Sequence, residues 1–341
     1  MATWDSTKYI IRTFTILYLA LFTPTVVYAV EQEENIEFII KKAIQQVNIK
    51  NVEKTISYLQ GFGNRRVWEK QWEAARWTAD ELKKSGMEVD LQQYEFKGRL
   101  WLNVVAKVEG RNKTDEIIIA VAHLDSISDN PEGIAPGADD NASGVAVLME
   151  TARILKNMPV DRTIIFCFFT NEETGTAGSK NYVKQLRKGS NHVLAVINLD
   201  ILGYNRPNFP FYLNALMSHY SYKHKIKALY RMGSNYLNGF INGRDVIKIA
   251  GRKSDELLVN LTSGLFSKYS DIRVNEVVDD HCGCGDEGAF WADGYKAIFI
   301  NSFYANPFEH STQDRIEKID LKLLEKINKA MMATIISLAN N

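Results

Sequence analysis

The chain has 341 residues, enough for one large domain or two modest ones. Hydrophobic residues make up 45% and charged residues 24%, the balance of an ordinary globular chain. Lys+Arg and Asp+Glu stand at 41 each, which argues against a nucleic-acid partner and against an acidic tail.

The first thirty residues stand apart. Lys8 and Arg12 precede the apolar run Thr13–Phe22, Pro24 interrupts it, and Val27-Tyr28-Ala29 has the small-residue character of a cleavage site. Residues 1–29 therefore read as a signal peptide, leaving 30–341 as one domain exported to a secreted or periplasmic location. Uncleaved, the same segment would be an N-terminal membrane anchor; otherwise no stable membrane insertion is expected.

Residues 33–61 space their apolar side chains as a helix does (Ile36, Ile39, Ile40, Ile44, Val52, Ile56, Leu59), and a second helical stretch runs from about Trp68 to Lys84. Strand-like runs follow at 87–96, 101–108 and 116–122, the last reading EIIIAVA. The order then becomes strand, loop, helix: SGVAVLMETARILKN at 143–157 is helical, TIIFCFF at 163–169 a strand, 177–187 a short helix and VLAVINL at 193–199 a strand. A helix near 286–293, the strand KAIFIN at 296–301 and a long helix from about Leu321 to Leu338 close the chain. Continuous apolar strands between amphipathic helices predict an α/β fold: a single domain with a central, mostly parallel (mixed) twisted sheet and helices on both faces. Residues 205–270 are the least regular and read as an insertion or cap with its own helix near 218–238.

Of the three cysteines, Cys167 lies in an apolar run and reads as a core thiol. Cys282 and Cys284 form a C-G-C pair whose disulfide would be strained, and with His281 they could alternatively hold a stray metal. Three N-x-S/T sequons begin at Asn112, Asn141 and Asn260.

The chemistry gathers at strand ends. EIIIAVA ends in His123-Leu124-Asp125, TIIFCFF runs into Thr170-Asn171-Glu172-Glu173, VLAVINL ends in Asp200, and KAIFIN leads through a loop to His310. Between the first two lies Pro136-Gly137-Ala138-Asp139-Asp140-Asn141-Ala142-Ser143-Gly144. Ligands of open α/β sheets sit outside the carboxyl ends of the strands. Each residue alone has an ordinary reading: Asp140 as a helix N-cap, Asp200 as a turn residue, Glu172 and Glu173 as a solvated loop, either histidine as a surface residue. Together at one rim, so many carboxylates call for a positive charge, and no Arg or Lys cluster accompanies them. Carboxylates and imidazoles suit zinc or a similar divalent ion, and two histidines with three carboxylates suit two ions about 3.5–4 Å apart, bridged by one carboxylate. One Asp of the pair then bridges; Asp139 is its outer neighbour or a polar surface residue. Asp125 is placed to accept a bond from the His123 ring, and the flanking glycines let backbone approach closely.

AHLDS at 122–126, PGADDNASG at 136–144, NEETGTAGS at 171–179, INLDILGY at 197–204, DEGAFWADGYKAIF at 286–299 and EHSTQDRIEKID at 309–320 together resemble the zinc-dependent exopeptidases with a co-catalytic metal pair. This is the bacterial leucyl aminopeptidase-like family, with its glutaminyl cyclase relatives and its phosphorylase/hydrolase-like fold. The likeness spans about residues 50–340. It implies two Zn2+ ions, other divalent ions being possible. It further implies His123 and Asp200 on the first, Glu173 and His310 on the second, Asp140 bridging through a cis peptide, Glu172 as general base and Asp125 as a supporting catalytic residue. The implied activity is hydrolysis of the N-terminal peptide bond of a peptide with a free amino terminus. Alternatives on the same resemblance are a single-zinc glutaminyl cyclase, a carboxypeptidase or dipeptidase, and a non-catalytic membrane-tethered ectodomain. Where relatives often carry Ser-Asp-His, this chain has Gly285-Asp286-Glu287.

Overall fold

The computed structural model describes residues 24–130, 133–189, 192–206, 245–280, 285–304 and 306–341. Its organising element is one eight-stranded sheet. The strands are β1 (Glu88–Phe96), β2 (Arg99–Val108), β3 (Lys113–His123), β4 (Arg162–Phe169), β5 (His192–Leu199), β6 (Val246–Gly251), β7 (Arg273–Val278) and β8 (Ala297–Ser302). Their order across the sheet is β1-β2-β4-β3-β5-β8-β6-β7. β4, β3, β5 and β8 run parallel in the centre, β2 and β6 flank them antiparallel, and β7 runs parallel to β6.

The apolar runs are continuous because the central strands are covered on both faces. Along β3, Ile118, Ala120 and Ala122 enter one core while Ile117, Ile119 and Val121 enter another on the opposite face. This is the alternation a pleated strand imposes. Each fully buried side chain such as Ile118 contributes roughly 1.5–3 kcal/mol over its exposed state. The helices are α1 (Pro24–Ile44), α2 (Ile49–Gly61), α3 (Trp68–Lys84), α4 (Gly144–Leu155), α5 (Ala177–Leu186), α6 (Glu256–Ser270), α7 (Glu287–Ala292) and α8 (Leu321–Asn340). α2, α4 and α8 supply the larger core, and α5 and α7 the smaller. Asp320 caps α8 by accepting the N–H groups of Lys322 and Leu323. Cys167 is a buried free thiol.

The sequence reading needs three corrections. The helical pattern at 33–61 is two helices, because Asn48 takes an extended conformation and caps α2, and its own N–H is bound by Glu150. Residues 246–270, read as part of an insertion, form β6 and α6 of the main fold. The short run VIKIAG leaves too little length for its period to stand out, yet it pairs with β8 and β7. The edge strand β7, half-buried along its length, had no reading at all. α1 begins at Pro24 and so runs through the expected cleavage point after Ala29. The expected helix near 218–238, the segment His281–Cys284 and residues 1–23 lie outside the described residues. Among the described residues no helix is long and apolar enough to cross a membrane.

Candidate metal centre

The carboxyl ends of β3, β4 and β5 and the loop after β8 deliver the six singled-out side chains to one place. His123 is the last residue of β3, and its Nε2 lies 3.2 Å from Asp140 Oδ1 and 3.3 Å from Asp200 Oδ1. The other oxygen of Asp140 lies 3.0 Å from His310 Nε2, which is also 3.1 Å from Glu173 Oε2. Asp140 thus faces one imidazole with each oxygen. Ligand atoms of three overlapping sets fall within 4.8 Å of one another: His123–Asp140–Asp200, Asp140–Glu173–His310 and His123–Glu172–Glu173.

Backbone geometry sets the Asp140 loop. The Asp140–Asn141 peptide is cis, as the resemblance implies. The Asn141 side chain donates to the Leu199 carbonyl (2.8 Å) and accepts the Gly144 N–H (3.0 Å), which ties the loop to the end of β5 and the start of α4. Gly137 sits at φ +52, where a Cβ would lie 2.4 Å from Ser126 Cβ and from the Asp140 carbonyl oxygen. A Cβ at Gly144 would lie 2.4 Å from Asn141 Oδ1. Both glycines are required by close approach.

Buried acids hold the ligand loops by their main chain. Asp125 accepts the N–H groups of Glu172 (3.0 Å) and Glu173 (3.1 Å), one on each oxygen. Its carboxylate lies 3.6 Å from His123 Nδ1, which faces the Asp125 carbonyl oxygen at 3.2 Å. The orienting contact expected from the carboxylate thus comes from the backbone, and the carboxylate instead aligns the two glutamates. Asp139 is fully buried, not exposed. It accepts from the Gly203 N–H (2.5 Å) and from Asn306 Nδ2 (2.8 Å), linking the Asp140 loop to those carrying Asp200 and His310. Asp314, part of the EHSTQDRIEKID motif but without an expected role, accepts the N–H groups of Asp139 and Asp140, each at 3.0 Å.

The protein's own charges leave this cluster unbalanced. Burial pushes the Glu172 carboxyl up to about 10, with Asp286, Asp200 and Asp125 adding to the rise against His123. Burial and Asp140 push Glu173 up to about 8. Burial would lower His123, but Asp200, Asp125 and Asp140 hold it well above the usual histidine range. Hydrogen bonds to Asp140 and Glu173 lift His310 to about 11. Burial opposes ionisation of Asp140, yet the two imidazoles pull it below the usual carboxylate range. Glu173 Oε1 is buried without a partner, as are both oxygens of Asp286 by hydrogen-bond geometry, although the nearby Ser179 hydroxyl favours the Asp286 anion. Too many buried carboxylates for their counter-charges, one with a free oxygen, and two imidazoles make a donor set that fits zinc.

An arginine close to the cluster escaped the sequence reading because nothing in Gly63-Asn64-Arg65-Arg66 marks it. Arg65 is fully buried, and its guanidinium binds four carbonyl oxygens. Burial draws it down to about 10, so it stays charged at neutral pH. Arg65 is a single cation rather than a cluster, and it spends its guanidinium donors on main chain. Where relatives carry Ser-Asp-His, Glu287 accepts Asn198 Nδ2 at 2.6 Å and the Gly285 N–H at 3.2 Å.

A mixed α/β sheet carrying an imidazole–carboxylate cluster at its strand ends defines a metal-dependent hydrolase. Residues 103–335 match the model of peptidase family M28, and the chain belongs to that family: it is a zinc metallopeptidase of the aminopeptidase-like kind. A "probable zinc metalloprotease" of Pyrenophora teres f. teres is 28% identical, the match covering 88% of this chain and 68% of the relative. A "probable leucine aminopeptidase" of Trichophyton verrucosum is 25% identical over 83% of this chain and 69% of its own. Among solved structures, LapB from Legionella pneumophila superposes with a TM-score of 0.72 at 23% identity, covering 89% of this chain and 75% of that one. Bacteroides thetaiotaomicron glutaminyl cyclase, bound to N-acetylhistamine, gives 0.62 at 16% identity, covering 85% and 98%. Those two likenesses are likenesses of fold.

Proposed function

We propose that the chain is an exported aminopeptidase that holds two zinc ions and removes the N-terminal residue of peptides with a free amino group. The observation that carries this reading is Asp140, whose two oxygens stand 3.2 and 3.0 Å from two different imidazoles. His123 and Asp200 would hold one ion, Glu173 and His310 the other, with Asp140 between them. Zinc there supplies Lewis acidity, lowering the pKa of a water and polarising the scissile carbonyl.

The chain's own residues do the rest. Glu172, ionised once a divalent charge offsets the burial and neighbouring acids that raise it, takes the proton of the attacking water and passes it to the leaving amine. Its main-chain N–H is held by one oxygen of Asp125 at 3.0 Å, which fixes the backbone that carries the base. Glu173, next in sequence and bound to the other Asp125 oxygen, turns instead to His310. Asp125 thereby holds base and ligand at a fixed offset. Export is supported by Lys8 and Arg12 ahead of the apolar run Thr13–Phe22.

Free-amine and N-acetylated aminoacyl substrates, assayed with zinc counted per chain, test the activity. The expected result is two zinc ions, cleavage of the free-amine substrates only, and loss of activity to chelator that zinc restores. Glu172→Gln should keep its zinc and lose about 10²–10⁴-fold in kcat. Equal cleavage of blocked substrates would overturn the aminopeptidase reading. One zinc with cyclisation of N-terminal glutamine would replace it with the cyclase reading. Export is tested by the amino terminus of the protein recovered outside the cytoplasm; retention inside the cell would overturn it.

A further inference from the structure

Arg65 is not one of the six clustered side chains, yet it is bound to the main chain of the segments that carry them. It precedes α3, is fully buried, and spends four hydrogen bonds on main-chain carbonyls. Nε binds Leu124 O at 2.7 Å, Nη1 binds Pro136 O at 2.6 Å and Leu59 O at 2.9 Å, and Nη2 binds Gly137 O at 2.8 Å. Leu124 lies between His123 and Asp125, and Pro136-Gly137 leads into Asp139-Asp140. One guanidinium therefore fastens together the two segments that carry the first histidine, the bridging carboxylate and the support of both glutamates.

The fit is shaped from the other side too. A Cβ on Gly137 would come within 2.8 Å of Arg65 Nη2. The Arg65 N–H donates to Ser126 Oγ at 3.3 Å, and that hydroxyl donates to Ala135 O at 2.7 Å, so the same two segments are joined again beside the guanidinium. A lysine would keep the charge, but its three donors lack the planar fork that reaches separate carbonyls. Asp314, Asp125, Asp140 and Glu173 are the acidic groups that feel its charge.

We infer that Arg65 is a positioning residue: a permanent internal cation that keeps the His123–Asp125 strand end and the Pro136–Asp140 loop in ligand-bearing register before metal arrives. This rests on the metal-site reading above for its consequence, but not for its structural content. A conventional metal site needs outer groups to orient its ligands; here one outer group orients two ligand segments through their main chain.

The test uses the full chain, stripped with chelator and titrated with zinc alone. Zinc affinity is read by competition with a chromophoric chelator, kcat and KM after reloading, and hydrogen exchange at 123–126 and 136–140 in the stripped protein. Arg65→Lys should weaken zinc binding about 10–100-fold, lower kcat more than KM and raise exchange in both segments. Ser126→Ala should shift the same readouts by less. A merely structural arginine would lower the melting temperature and leave zinc affinity and kcat alone; that result, or wild-type exchange in Arg65→Lys, overturns the inference. If Arg65→Lys does not fold, Ser126→Ala decides, and unchanged affinity with unchanged exchange there overturns it. If the wild type binds no zinc, the metal-site reading fails and the exchange comparison alone decides the role of Arg65.

Discussion

His123 and His310 face the same carboxylate from opposite surroundings. The His123 side chain is 2% exposed, sits at the end of a central strand, and meets two buried aspartates. The His310 side chain is 44% exposed and belongs to a loop residue at φ +53. It is held by its carbonyl, which accepts the Asp129 N–H at 2.8 Å. One half of the site is thus set by the hydrogen-bonded register of the sheet, the other by a loop. Chemically similar ligands in such different settings should differ in how tightly they hold an ion and in what their loss does to the fold.

The largest effect should come from the group the two halves share. Asp140→Asn leaves each imidazole facing a neutral amide in place of a carboxylate oxygen. Zinc per chain should fall to near none by elemental analysis, and kcat/KM at least about 10³-fold, since several kcal/mol of charge stabilisation go with the metal. One ion still tightly bound would show that the halves do not depend on a common ligand, and the comparison would lose its basis.

What the sequence made legible follows the same division. His123 and Asp200 were readable because continuous apolar runs fix where a buried strand ends, and ligands of such sheets gather there. The glutamate pair and Asp140 were readable from small-residue loops beside those ends. His310 was the weakest of the strand-end candidates, because a loop histidine has no period to locate it, and the family resemblance strengthened it. Arg65 acts mainly through carbonyls 59 to 72 positions away and Asp314 through N–H groups 174 and 175 positions away, and nothing local to either marks those partners. β6 and β7 were missed because strands of six residues, the first almost wholly buried and the second half-buried, are too short for alternation to separate from a loop. Asp125 was found by its spacing from His123, beside which its carboxylate lies at 3.6 Å, but spacing does not reveal that the same carboxylate accepts the N–H groups of Glu172 and Glu173.

Removing one histidine at a time sharpens the contrast. His123→Ala leaves Asp140 and Asp200 buried together without the imidazole between them, a loss of the kind that costs roughly 3–5 kcal/mol. His310→Ala removes a half-exposed partner that water can partly replace, although Asp140 and Glu173 behind it are buried. In zinc-free protein the melting temperature should therefore fall for both variants, and further for His123→Ala than for His310→Ala. With zinc, His310→Ala should retain one ion. Equal destabilisation by the two variants would erase the distinction between a sheet-set and a loop-set half.

The smallest effect belongs to Asp125, which lies beside the His123 ring at 3.6 Å and otherwise reaches the site through the two glutamates. Its carboxylate spends one oxygen on the Glu172 N–H and the other on the Glu173 N–H. Asn offers one acceptor and turns an amide N–H toward the second donor, so one of the two glutamates loses its anchor. If the amide oxygen stays with Glu173, zinc content holds and only the aim of the base suffers; if it stays with Glu172, the His310 half loosens first. Either way the cost should be about 10–100-fold, the range for an outer group that orients its neighbours. Measuring kcat beside zinc affinity in Asp125→Asn separates the two cases. A variant unchanged in both would mean that the loop after β4 holds its own shape, and that Asp125 serves the fold alone.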